Sequence, residues 1–187
     1  MPRCFVGLPL PSSCQEVMRE LIRSLERGPA LSASGVRVSW TRQGNGHLTL
    51  QFLGEVSEVK AMEVRAALAG VSFSRFTLQV AGGGFFPDAR QPRVVWSGVE
   101  QGADDCAGLA HAVQPALQPL GFAPERRPFH AHLTLGRVRQ QGRVDWLGVQ
   151  EQIAAWQWPE ITLDRFVLFQ SVLEPQGPTY ERLAEYF

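Results

Sequence analysis

The sequence predicts an α+β domain built from two related lobes, and three observations carry that prediction. Short apolar strands mix with helices but lack the regular strand–helix–strand rhythm of a parallel sheet, which favours antiparallel pairing. The tetrapeptide HLTL stands at His47–Leu50 and returns 85 residues later at His132–Leu135. In the same unbroken register Val59 meets Val144, Met62 meets Leu147, Val64 meets Val149 and Leu68 meets Ile153, and Phe76–Leu78 meets Ile161–Leu163. One offset covering strand, helix and strand points to an internal duplication within a single domain spanning residues 1–187. Lobes so related, packed about a pseudo-twofold axis, bring equivalent strands face to face.

Along the chain, Cys4–Leu8 reads as a first strand stopped by Pro9 and Pro11. Ser12 and Ser13 suggest a cap for a helix to Arg27, with Val17, Leu21, Ile22 and Leu25 at helical spacing and Gly28-Pro29 ending it. A short strand near Val36–Trp40 and a turn at Gln43–Gly46 lead into the alternating strand His47–Leu53, which Gly54 closes. Ser57 reads as the cap of a helix to Ala69, with Glu58, Lys60, Glu63 and Arg65 on its wet face. Phe76–Val80 is the next strand, broken by Gly82-Gly83-Gly84. Arg93–Val99 echoes the first strand, and Asp104–Leu117 echoes the first helix with Asp104 as its cap. The second HLTL belongs to a strand Phe129–Leu135; Phe166–Val172 is the last apolar strand, and Pro175–Pro178 turns the chain into Tyr180–Phe187.

Bulk properties exclude some classes. The 187 residues are 44% hydrophobic, enough for one sizeable core. Eighteen basic and eighteen acidic residues cancel, which argues against a bulk electrostatic nucleic-acid binder. Only Lys60 of the basic residues is lysine, and arginine offers planar bidentate donors for phosphate where it falls in a cleft. No apolar run reaches membrane-spanning length, and the N-terminus lacks the form of a signal peptide, so a cytoplasmic protein with no membrane partner is expected. Cys4, Cys14 and Cys106 are odd in number and without metal-ligand spacing, and are read as reduced packing residues.

On a strand, residues two apart share a face. His47 and Thr49 therefore share one side while Leu48 and Leu50 share the other, and the same holds for His132, Thr134, Leu133 and Leu135. The leucines suit a core, and the two His/Thr pairs suit a cleft between lobes. Imidazole titrates near pH 6.5, so one ring can take a proton while the other gives one, as in-line displacement at phosphorus needs. The threonine hydroxyls can donate to non-bridging oxygens. A single His-x-Thr on a strand is ordinarily structural; two copies in register on a repeated frame favour a site.

The paired motifs resemble those of the 2H phosphoesterase superfamily. Arg3–Pro9 (RCFVGLP), His47–Gly54 (HLTLQFLG), Gly84–Pro87 (GFFP), Arg93–Gly98 (RVVWSG), and Ser171-Val-Leu followed by Gly177–Glu181 (GPTYE) are similar to the bacterial and archaeal RNA 2′,3′-cyclic phosphodiesterases, first described as 2′-5′ RNA ligases. The resemblance spans nearly the whole chain. It implies a bilobal fold with a central cleft between two facing antiparallel sheets and helices outside. It also implies metal-independent opening of a terminal 2′,3′-cyclic phosphate to a 2′-phosphate, with no cofactor, on RNA ends or cyclic nucleotides. By that likeness His47 is the proton donor and His132 the proton acceptor, Thr49, Thr134 and Arg137 hold the phosphate, and Phe52 stacks on the terminal base. Strict alternation sets Phe52 and Arg137 on the leucine face, so the strands must twist or bulge near Gln51 and Gly136, or the side chains must reach round. Where the family commonly has proline before the second histidine, this chain has Ala131.

Other readings compete. His130 and His132 have metal-ligand spacing, and with His47 they could form a three-histidine zinc site. The frame could also serve a non-catalytic RNA-end binder, or run in reverse as a ligase. His130 is expected on the cleft wall or partly exposed, and His111 on the surface of a predicted helix. Arg37, Arg42, Arg126, Arg127 and Arg139 are candidates for an RNA path, and a monomer is expected.

Overall fold

The computed structural model describes residues 2–125, 127–174 and 177–187. Arg126 and Pro175 lie outside them. The elements run β1 (Arg3–Pro9), α1 (Ser12–Arg27), α2 (Pro29–Ser32), β2 (Arg37–Trp40), β3 (His47–Glu55), α3 (Glu58–Leu68), β4 (Phe76–Phe86), β5 (Val94–Gln101), α4 (Ala103–Leu117), a 3₁₀ turn at Gln118–Leu120, β6 (His132–Gln140), α5 (Trp146–Ala154), β7 (Ile161–Leu163), β8 (Phe166–Glu174) and β9 (Gly177–Tyr186).

All strand pairs are antiparallel, and the order is β7-β4-β5-β6-β3-β1-β8-β9, with β2 paired to β6. The two motif strands, β3 and β6, meet through the single pair Leu48–Leu133. The facing sheets expected from the sequence are therefore one curled sheet with a thin join at its centre. Read outward from that join, the two sides have matching order: β6, β5, β4 on one and β3, β1, β8 on the other.

Why the sheet is two-faced follows from the motif. Leu48, Leu133 and Leu135 are fully buried, and Leu50 nearly so, in one core with Leu21, Leu25, Leu68, Val113, Leu117 and Ile153 from the helices. Burying such side chains contributes about 1.5–3 kcal/mol each, and together they hold the helices to one face. The opposite face keeps a small hydrophobic cluster of Phe5, Val167 and Phe169, with Tyr180 packed against it. Cys4, Cys14 and Cys106 are free and buried, with their thiols pushed up by desolvation.

Local chemistry sets most of the boundaries. Ser57 caps α3 by accepting from the Lys60 amide at 3.2 Å. The Ser12–Ser13 cap does not form: Pro11 occupies the cap position of α1, without a side-chain bond, and both serines lie in its first turn. Asp104 is not the cap of α4 either. Gly102, at φ 83°, takes that position, and Asp104 and Asp105 fall in the first turn, where they favour the helix dipole. The triple glycine does not break β4, which runs on to Phe86. A Cβ on Gly83 would lie 2.3 Å from Ile153 Cγ2, so this glycine lets α5 pack closely on a continuing strand.

Candidate active site

The bulge that alternation demanded is present, and it is present twice. On β3, Gly7 pairs with Thr49 and Val6 with Gln51, leaving Leu50 without a partner on β1. On β6, Trp96 pairs with Thr134 and Val95 with Gly136, leaving Leu135 without a partner on β5. One extra residue advances the alternation by one position. Gln51 and Gly136 consequently turn inward and are buried, while Phe52 and Arg137 emerge on the histidine face.

His47, Thr49, Phe52, Thr134, Arg137 and Tyr180 line one cleft of about 310 Å³. His132 stands beside it, close enough that its charge acts on His47. Arg137 acts on both rings and on Tyr180, and it has no ion pair among the described residues. Thr134 is set from behind by the loop after β2: Thr41 Oγ1 donates to the Thr134 carbonyl at 2.6 Å, and the Thr41 amide donates to the Leu135 carbonyl at 2.8 Å.

Each imidazole is held by the same bond. His47 Nδ1 lies 2.7 Å from the Asn45 carbonyl, and His132 Nδ1 lies 2.7 Å from the His130 carbonyl. A carbonyl only accepts, so Nδ1 carries the proton in both rings and Nε2 is left for chemistry. His47 Nε2 is 3.1 Å from Thr49 Oγ1, which donates to it when the ring is neutral. Phe5 lies 4.6 Å from the His47 ring and Tyr180 meets it edge-on at 5.0 Å. His132 packs edge-on against Phe86 at 5.0 Å, with Trp96 and His130 near. Asn45, Phe5, Thr41 and Tyr180 had no role assigned from sequence; Phe5 and Tyr180 stand in the family-like motifs, but their approach to His47 depends on strand pairing.

Residues 8–96 and, separately, 98–180 match the family model described as LigT like Phosphoesterase. The chain belongs to this family. Among curated relatives of this LigT-like phosphoesterase, the RNA 2′,3′-cyclic phosphodiesterase of Aeropyrum pernix is 35% identical over 157 residues, 83% of this chain and 89% of that one. The protein of the same name from Archaeoglobus fulgidus is 34% identical over 181 residues, 97% of both chains. A crystallised protein of Thermus thermophilus superposes with a TM-score of 0.76 at 25% identity, covering 98% of this chain and 96% of that one. E. coli LigT complexed with 3′-AMP gives 0.73 at 26% identity over 100% and 98% of the two chains.

Burial lowers the His47 pKa to about 4, against the opposing pull of its Asn45 hydrogen bond, and the charges of His132 and Arg137 lower it further. His132 is lowered too, by burial first and then by the charges of His130 and Arg137. Both rings thus favour the neutral form at pH 7 in the free protein. The strand bearing His132 begins at that residue, so His130 lies in the preceding loop, exposed, rather than on the predicted strand face. Among the described residues no three His, Cys, Asp or Glu side chains converge to hold a metal ion. His111 is exposed on α4, and Ala131 is buried where it enters β6. Of the expected RNA-path arginines, Arg42 and Arg139 line the cleft while Arg37 and Arg127 do not. No helix among the described residues is long and apolar enough to cross a membrane.

Proposed function

We propose that this protein is an RNA 2′,3′-cyclic phosphodiesterase that opens a terminal 2′,3′-cyclic phosphate to a 2′-phosphate by paired-imidazole acid–base catalysis. The observation that carries the reading is the pair of Nε2 atoms freed by identical Nδ1–carbonyl bonds on one side of a sheet that also presents Arg137. His132 takes a proton from the attacking water as its oxygen bonds to phosphorus. His47 protonates the departing 3′-oxygen as the P–O3′ bond breaks. Thr49, Thr134 and Arg137 hold the non-bridging oxygens, and Phe52, 67% exposed beside the cleft, stacks on the terminal base. The order of donor and acceptor follows the family likeness. His47, lowered to about 4, is neutral at pH 7 in the free protein, so its role as acid requires the bound phosphate anion to raise its pKa.

We take the halves to descend from one duplication, supported by the shared register, the matching strand order and the two separate family matches. A cytoplasmic monomer completes the proposal. The test is hydrolysis of an oligonucleotide ending in a 2′,3′-cyclic phosphate, with and without chelator, followed by locating the phosphate in the product. A 2′-phosphate formed equally with chelator is expected. A 3′-phosphate product, or near wild-type turnover by His47→Ala or His132→Ala, would overturn the assignment.

A further inference from the structure

An RNA strand ending in a 2′,3′-cyclic phosphate extends only through its 5′ oxygen, so any hold on the rest of the strand lies past the terminal ribose. The cleft adjoins a second cavity. Ser39, Trp40 and Arg139 on its wall also line this neighbouring cavity of about 420 Å³, together with Arg37, Val36, Val38, Leu31 and one carboxylate, Glu26. Two features of β2 build that passage. First, Arg37 pairs with Gln140 and Val38 with Val138, so Arg139 is a bulged residue with no partner on β2. Its side chain is exposed and lines both cavities. Second, Trp40 rests on Gly136, where a Cβ would lie 2.7 Å from Trp40 Cε3, and the ring lines both cavities.

Arg37 and Arg139 have no ion pair among the described residues and outnumber Glu26 in that lining; in the cavity on the α1 side, Arg19 and Arg42 are paired with Glu16 and Glu174, which leaves Arg23 beside the same Glu26. Two uncommitted guanidinium groups beside a partly open indole combine an anion hold with a stacking surface, which is how single-stranded nucleic acid is held without reading its sequence.

We propose that Arg37, Arg139 and Trp40 form a second-nucleotide subsite, the arginines taking the 5′-phosphate of the terminal nucleotide and Trp40 stacking on the penultimate base. The protein then serves oligonucleotide ends in preference to nucleoside cyclic phosphates. This deepens the reading of the cleft as the seat of a terminal 2′,3′-cyclic phosphate and rests on it.

Three probes separate the parts: a nucleoside 2′,3′-cyclic phosphate, its 5′-phosphorylated form, and a dinucleotide ending in a 2′,3′-cyclic phosphate. For the wild type, kcat/KM is expected to climb by about tenfold or more from the first probe to the third. Arg37→Ala/Arg139→Ala should abolish the gain brought by the 5′-phosphate. Trp40→Leu should abolish only the further gain from the second base, and Trp40→Phe, which keeps a ring, should retain most of it. Equal kcat/KM for the three probes in the wild type would overturn the proposal. So would variants that lower all three by one factor, which is the mark of a structural role. No turnover of any probe by the wild type would instead overturn the underlying reading of the cleft, and this inference with it.

Discussion

The two halves of the site share a frame and diverge in what they place on it. Each has the His-x-Thr face, the unpaired leucine one residue later, and the Nδ1–carbonyl bond. Past the bulge they part. β3 turns Gln51 inward and presents Phe52, while β6 turns Gly136 inward and presents Arg137. The first side offers a stacking surface, and the second a cation. The difference at the inward position has its own cause: β2 lies only against β6, and Trp40 needs the space that a side chain at Gly136 would fill. His47 is shut among Phe5, Phe169 and Tyr180, whereas His132 stands against Phe86, Trp96 and an exposed His130. A repeated backbone device can therefore hold one chemistry in common while the residues just beyond it specialise.

The comparison breaks most completely at the histidines. Removing either imidazole should lower kcat by about 10²–10⁴-fold, the usual contribution of a positioned acid or base, as single-turnover hydrolysis would measure. Equal losses would mark the shared half of the design. Next comes Arg137→Ala, which deletes charge-assisted hydrogen bonds worth about 1.5–3 kcal/mol and should cost about 10–100-fold in kcat/KM. Arg137→Lys should recover that only in part, because an ammonium cannot reproduce the planar fork. Phe52→Ala should be milder, about 5–10-fold and mostly in KM, since its ring is exposed and stacking loss falls at the low end of its range. If Phe52→Ala and Arg137→Ala had the same profile in kcat and KM, the specialisation of the halves would be refuted.

The pH dependence sharpens the same comparison. In the proposed mechanism one ring acts neutral and one charged, so kcat/KM should peak between the two free-enzyme pKa values. One is about 4 and the other lies below 6.5, which puts the peak on the acid side of pH 6.5. A phosphate anion bound as proposed would raise both, so the kcat profile should sit higher. A kcat/KM profile rising through pH 7 to a plateau would contradict the lowered pKa values, and imidazole NMR titration would check them directly. A further effect falls on stability rather than activity: Gly136→Ala forces a methyl group against Trp40 and Val38 and should cost about 1–3 kcal/mol in denaturant unfolding.

Much of this could be read before any coordinates. The four motif leucines, the His/Thr face, the Ser57 cap and the extent of α1 all rest on local spacing, which the chain states outright. The misread features depend on distant partners. Gly83 looks like a breaker until Ile153 is seen packed against it, and Asp104 looks like a cap until Gly102 takes the left-handed turn one residue before the helix. Alternation required something to happen between Thr49 and Phe52. That it is Leu50 left unpaired, and Leu135 likewise, is decided by the register of β1 and β5, which no local pattern encodes. Phe5 and Tyr180 reach His47 from strands over forty and over a hundred residues away in sequence, so only the pairing reveals them.

The bond that orients each imidazole ends on a main-chain oxygen, and that choice has an evolutionary consequence. The two residues supplying the oxygen are as unlike as Asn45 and His130. Since every amino acid carries the same carbonyl, mutation at these positions cannot delete the acceptor, and selection can spend their side chains elsewhere. Asn45 uses its amide to reach the Pro178 carbonyl at 2.7 Å, while His130 packs edge-on to Trp96 at 4.8 Å. The tautomer is thus protected against drift, and the site keeps two freely evolvable positions next to its most constrained atoms.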